Sequence, residues 1–108
     1  MAVGYGSNLI QGAVQASTQQ TDTTIVSGVT GRKIKVAYVF VAVDTSMTVT
    51  LEDGTTTRKW ELYPAANGGA EAEAPEGQFL FETSAGNPLT FTTSGTGNVF
   101  VSVLYEVE

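Results

Sequence analysis

From Thr23 onward, apolar and polar positions along the chain alternate with a period of two. Side chains of an extended backbone point alternately to opposite faces, so this period predicts strands. The longest run is Arg32–Val43. Under strict alternation Ile34, Val36, Tyr38, Phe40 and Ala42 share one face. Lys33 and Lys35 open the other face, which then turns apolar through Val39, Val41 and Val43. An ordinary antiparallel sheet with one wet face does not require that second apolar stretch. The last run, Asn98–Val107, puts Val99, Val101, Val103, Tyr105 and Val107 on one side, with Phe100, Ser102, Leu104 and Glu106 on the other. Shorter strands are expected at Thr24–Ser27, Gln78–Thr83 and Leu89–Thr93.

Turn residues punctuate these runs. Asp53-Gly54 between alternating segments predicts a two-residue type I′ hairpin. That register sets Leu51 opposite Thr56, Val49 opposite Arg58 and Met47 opposite Trp60. It leaves Arg58 as a charged misfit on an apolar face, its stem reaching for an edge. Residues 64–77, with Pro64, Gly68-Gly69 and the acidic series Glu71, Glu73 and Glu76, read as a loop long enough to cross between sheets. No segment carries helical periodicity with caps. About seven or eight strands joined by short turns predict an all-β fold, a β-sandwich, with a jelly roll as the expected form.

Residues 1–22 differ from the rest. They hold Gly4, Gly6, Gly12, several glutamines and no charge before Asp22. They read as an extended N-terminal arm beside a single sandwich domain at 23–108, with Leu9 and Ile10 as the apolar anchors of the arm. The alternative for such a segment is a loose terminus. The two-sided apolar pattern names Val39, Val41, Val43, Phe100 and Leu104 as candidates for a homo-oligomer interface, since a large wet apolar patch marks a contact surface. The competing reading covers them with the arm or loop of the same chain.

Composition narrows the function. A chain of 108 residues suits one domain, and an apolar share of 42% supports a packed core. It has no Cys and no His, which leaves no Ser-His-Asp or Cys-His site, no disulfide and no thiolate metal centre. With net charge −6 and five basic residues, nucleic acid and anionic membranes are poor partners. Residues 1–20 lack the basic start and apolar run of a signal peptide, so a soluble product made in a cytoplasm is expected. Paired carboxylates remain for glycoside chemistry, from Glu52, Asp53, Glu61 and Glu82, but edge and turn positions explain them more simply. Glu71, Glu73 and Glu76 lack the spacing of an EF-hand and read as a solubilising loop rather than a calcium site. Trp60 and Tyr63 could stack on a sugar, although an aromatic on a core-facing strand is more often core. The expectation is a protein that is not an enzyme, with no cofactor and no metal.

Several segments resemble small virion proteins of tailed bacteriophages. They are Gly31-Arg32-Lys33-Ile34-Lys35-Val36, Pro75-Glu76-Gly77-Gln78-Phe79 and Thr83-Ser84-Ala85-Gly86-Asn87-Pro88-Leu89-Thr90, then the glycine turn at Gly95–Gly97 and the Val-rich strand closed by Tyr105. The resemblance spans roughly residues 25–108 and leaves the arm outside. It implies a β-sandwich that decorates or cements a capsid, often as a trimer bound to the major capsid protein, or that forms part of a head fibre or tail. It implies a virion location after assembly in the host cytoplasm, and it carries no catalytic residues. A carbohydrate-binding module on a tail or fibre is the alternative.

Overall fold

The computed structural model describes residues 9–55 and 57–108. Among them nine strands run in order: β1 (Ile10–Ala16), β2 (Thr23–Val26), β3 (Ile34–Val43), β4 (Val49–Asp53), β5 (Thr57–Leu62), β6 (Gly68–Glu73), β7 (Phe81–Glu82), β8 (Leu89–Thr93) and β9 (Val99–Val107). One sheet has the order β1-β9-β3-β6, with β7 also paired to β3. The other has the order β2-β8-β4-β5. Every pairing is antiparallel. The chain crosses from sheet to sheet at most connections, and the two interleaved four-strand orders are those of a jelly roll. The all-β sandwich expected from the period-two pattern is therefore the fold.

The core lies between the sheets. Val36, Val39, Val41, Val101 and Val103 from the first sheet meet Val49, Leu51, Leu89 and Phe91 from the second, and all are fully buried. Each such side chain contributes about 1.5–3 kcal/mol when removed from water. β-branched residues dominate because they fill a pleated surface without losing further χ1 freedom. At one margin Trp60 of β5 stacks on Phe81 of β7, with ring centroids 6.4 Å apart and planes 20° apart, closing the sandwich across its two sheets.

Strict alternation along β3 fails at one residue. Val36 pairs with Tyr105 and Tyr38 with Leu104, so Ala37 is an extra residue, a β-bulge. Val36, Ala37 and Val39 are all buried as a result. The bulge reverses the phase of the strand. Ile34 and Val36 before it face the core, and so do Val39, Val41 and Val43 after it. The expected second apolar face is thus a single inner face read across a phase change. Val39, Val41 and Val43 are 0%, 0% and 6% exposed and belong to the core of their own chain, which withdraws them as oligomer-interface candidates.

The hairpin is also corrected. Asp53 pairs with Thr57 and Glu52 with Arg58, then a second bulge lets Leu51 pair with Trp60 and Val49 with Leu62. Gly54 has φ 71°, but Asp53 is not in the left-handed region, as a type I′ turn would need. The loop is therefore longer than two residues. The bulge removes the Arg58 misfit: Arg58 stands beside Glu52 rather than among the apolar residues, and its guanidinium lies 3.5 Å from Glu61. The expected position of Thr56 lies outside the described residues.

Two segments expected to be irregular are strands. Residues 10–16 pair in unbroken register with β9, from Ile10–Tyr105 to Ala16–Val99. Residues 10–16 of the expected arm are thus an edge strand of its own domain, with Val14 and Ala16 packed on the core. Residues 1–8 of that arm lie outside the described residues. Likewise Gly68–Glu73, expected within a loop, pairs with β3 from Val43 back to Tyr38.

Candidate functional site

The registers define the outer face of the first sheet. Across β1, β9, β3 and β6, one row reads Gln15, Phe100, Ala42, Gly69. The next reads Ala13, Ser102, Phe40, Glu71, and the third Gln11, Leu104, Tyr38, Glu73. The face has a neutral polar column on β1, an apolar centre and an acidic column on β6. It exists because the Ala37 bulge turns Tyr38, Phe40 and Ala42 outward.

Small residues beside large ones make this face concave. Ala42 and Gly69 leave a depression flanked by the rings of Phe40 and Phe100, whose centroids lie 6.4 Å apart at 59°. The groove has a volume of about 680 Å³ and reaches Gln15, Asp44, Asn67 and Asn98 at its rim. A Cβ on Gly69 would sit 2.7 Å from the Val41 carbonyl oxygen and 3.4 Å from the Phe40 ring, so only glycine lets β6 approach here.

Hydrogen bonds fix the rim. The Asn98 amide N–H donates to Asp44 Oδ1 at 2.8 Å, and Asn98 Nδ2 donates to Asp44 Oδ2 at 2.8 Å. The Asn98 side chain is the main reason the Asp44 carboxyl titrates below its usual range, with the Asn98 amide and Thr45 hydroxyl adding to it against slight desolvation. Along the same face Tyr38 Oη donates to Glu71 Oε2 at 2.5 Å. That bond, helped by burial and by the charges of Glu71 and Glu73, pushes the Tyr38 phenol up to about 12. The groove is lined by carboxylates, amides and rings, with no Lys or Arg among its lining residues.

The remaining sequence candidates are spread over the molecule. Phe100 and Leu104 are on the outer face and only partly buried. Leu9 is half-buried, and Ile10 is 51% exposed opposite Tyr105. Glu52 accepts from Thr92 and Thr90, and Asp53 from Ser84 and Asn87. Glu61 accepts from Thr50, and Glu82 pairs with Lys33 at 3.2 Å. The four carboxylates are therefore engaged by separate partners. Trp60 packs against the core, whereas Tyr63 is 70% exposed and away from the groove. Sequence reasoning missed Phe40, Ala42, Asp44, Gly69 and Asn98 as one site, because the phase change at Ala37 decides which of them face outward.

Fold and site together define a jelly-roll β-sandwich with a concave outer face flanked by aromatic rings. The sequence matches no protein-family model and no curated protein sequence. Among solved structures the chain is similar to a subunit of the Bacillus endospore appendages, described as disulfide-linked pili, at 14% identity and TM-score 0.45 over 98% of this chain and 95% of that one. It is similar to part of a Clostridium thermocellum xylanase fragment with CBM22-1 and GH10 modules, solved with xylohexaose, at 16% identity and TM-score 0.43 over 94% of this chain and 24% of that one. It is also similar to the virus-like particle protein of Macrobrachium rosenbergii extra small virus, at 11% identity and TM-score 0.38 over 90% of this chain and 77% of that one. At such identities the likeness concerns the course of the chain and assigns no activity.

Proposed function

We propose that this chain is a structural virion protein of a tailed bacteriophage that decorates or cements the capsid, seated on the major capsid protein through the outer face of the β1-β9-β3-β6 sheet. The observation that carries the reading is the apolar centre of that face. Phe40, Phe100, Leu104 and Tyr38 stand side by side there and remain partly exposed. Clustered, incompletely buried aromatics of this kind mark contact surfaces. The resemblance of residues 25–108 to small phage virion proteins supports the choice of partner. The protein would then reside on the capsid surface after assembly in the host cytoplasm.

The test is co-sedimentation with undecorated heads built from the major capsid protein of the same virus. Wild-type protein is expected to bind. Phe100→Asp is expected to keep the sheet spectrum and to weaken binding by at least about tenfold, as loss of a central aromatic anchor does. No binding by the wild type would overturn the capsid reading. Equal binding by Phe100→Asp would remove this face from the contact.

The groove itself favours a second reading, a carbohydrate-binding module on a tail or fibre. The aromatic rings flanking it suit the apolar faces of a sugar, and the amides and carboxylates at its rim suit hydroxyl groups. A glycan array probed with wild type and Phe40→Ala separates the two: a glycan signal lost in the variant supports carbohydrate binding, and its absence with head binding retained supports decoration.

A further inference from the structure

A sandwich of two open sheets has four edges, and each exposes backbone groups able to pair with another strand. Three of the four carry obstacles to such pairing. The edge strand β5 bears exposed Arg58 and Lys59 and a bulge. The edge made by β6 and β7 bears exposed Glu71 and Glu73 and is interrupted between Glu73 and Phe81. The edge strand β2 has four residues and an irregular register between Thr24 and Val26.

The edge strand β1 carries none of these obstacles. Its seven residues hold an unbroken register on β9 and include no charge and no proline. No side chain from Met1 to Thr21 is charged. Among the described residues, no backbone hydrogen bond reaches the side of β1 away from β9. Seven paired residues exceed the usual strand length, so the edge is long enough to template another strand.

The occupant follows from charge and spacing. Each chain carries −6, so two copies repel over most of their surfaces. They can approach at β1 without bringing like charges together. The outer-face residues of β1 are also symmetric about its middle: Gln11, Ala13 and Gln15, with the half-buried Gly12 and Val14 between them. We infer that two copies of this chain pair their β1 strands antiparallel about a two-fold axis at Ala13, joining their two β1-β9-β3-β6 sheets into one continuous sheet. Gln11, whose Nε2 donates to Ser102 Oγ at 3.0 Å within its own chain, then faces Gln15 of the second copy, and Ala13 faces Ala13. Gly12 faces Val14, and Ile10, which is 51% exposed in one chain, is partly covered beside Ala16 of the other. The contact is isologous and closes as a dimer rather than growing into a filament. It uses the strand edge and shares with the Phe40–Phe100 groove the rim residue Gln15 alone, so its test by oligomeric state fails or succeeds separately from the capsid reading.

The experiment is sedimentation equilibrium of the full chain from micromolar to millimolar concentration, with Ala13→Lys and Ala13→Glu. Ala13 is exposed, so both variants are expected to keep the wild-type melting temperature. Wild type is expected to dimerise. Each variant places two like charges across the axis and is expected to weaken the dimer by at least about tenfold. An equimolar mixture of the two is expected to recover a heterodimer by native mass spectrometry. A monomeric wild type, or variants that each dimerise as well as the wild type, would overturn the inference. Hydrogen exchange of wild-type residues 10–16 needs no variant: protection that rises with protein concentration supports the edge contact, and protection independent of concentration excludes it.

Discussion

Asp53 ends β4 with 4% of its surface exposed and keeps its charge because donors surround it. The Ser84 amide and hydroxyl donate to Oδ2 at 2.9 and 2.8 Å, and Asn87 Nδ2 donates to Oδ1 at 3.0 Å. One carboxylate thus ties the β4–β5 turn to the loop that precedes β8. Asp53→Ala removes an acceptor and strands three donors, so it is expected to destabilise by about 1–3 kcal/mol in urea unfolding. Asp53→Asn is expected to be only a partial substitute, because an amide cannot accept at both positions. Next to it, Gly54 donates its N–H to the Pro88 carbonyl at 2.9 Å from a left-handed backbone. Gly54→Val forces a β-branched residue into that region and is expected to cost more than about 1 kcal/mol, read from the same unfolding curves. In the sequence Asp53 is legible as a turn residue. Its clamp is not, because the partners lie more than thirty positions away and only the closed fold brings them together.

At the scale of elements, the strands legible in the sequence are those built from Val, Ile, Thr and aromatic residues. The strands β1 and β6 are not, because Gln, Gly, Ala and Glu have weak strand preference and read as arm and loop. The two bulges leave a trace that is legible once its meaning is known. Odd positions entering and along β3 change from Lys33 and Lys35 to Val39, Val41 and Val43, and even positions of β5 change from Arg58 to Trp60 and Leu62. A charge and a run of apolar residues on the same parity signal a phase change between them. The candidate site was hidden for the same reason, since moving one residue past Ala37 exchanges core for surface. Deleting Ala37 should therefore act far beyond one small side chain. It forces either Ile34 and Val36 or Val39, Val41 and Val43 outward, and the expected outcome is loss of cooperative unfolding by circular dichroism. A chain that melts normally without Ala37 would show that the bulge is dispensable. The strand character of residues 10–16 also changes the outlook for truncation. A loose arm could be removed with the sandwich left folded, but deleting residues 2–20 strips β1 from β9 and uncovers the core beside Val14, so a loss of at least about 2 kcal/mol is expected.

For the molecule as a whole, the titrating groups with shifted equilibria set a window of pH in which the sandwich is most stable. On the alkaline side stands Tyr38, raised from 10.0 to about 12 by its bond to Glu71 and by burial. The unfolded chain releases this proton first, so the contribution of Tyr38 is complete below pH 10.0 and is lost as pH rises through about 12. On the acid side two neighbours act in opposite directions. Burial raises Glu52, against hydrogen bonds from Thr92 and Thr90 and with the Asp22 carboxyl adding to the rise. Its folded form binds a proton more readily than the unfolded form, so stability is gained as pH falls through that raised value. Burial also acts to raise Asp53, but the bonds from Asn87 and Ser84 outweigh it and lower the net value below 3.8. The stability from Asp53 is present in full above 3.8 and is lost as pH falls through the lower folded value. Urea midpoints across pH should therefore show a small rise from Glu52 on acidification, then a fall from Asp53, and a separate fall at high pH. Glu52→Gln is expected to flatten the rise and Asp53→Asn the acid fall. Tyr38→Phe is expected to flatten the alkaline fall, and Glu71→Gln to move the tyrosinate absorbance of Tyr38 back toward 10. An alkaline limb of the same size and position in Tyr38→Phe and wild type would show that the Tyr38–Glu71 bond has no part in it.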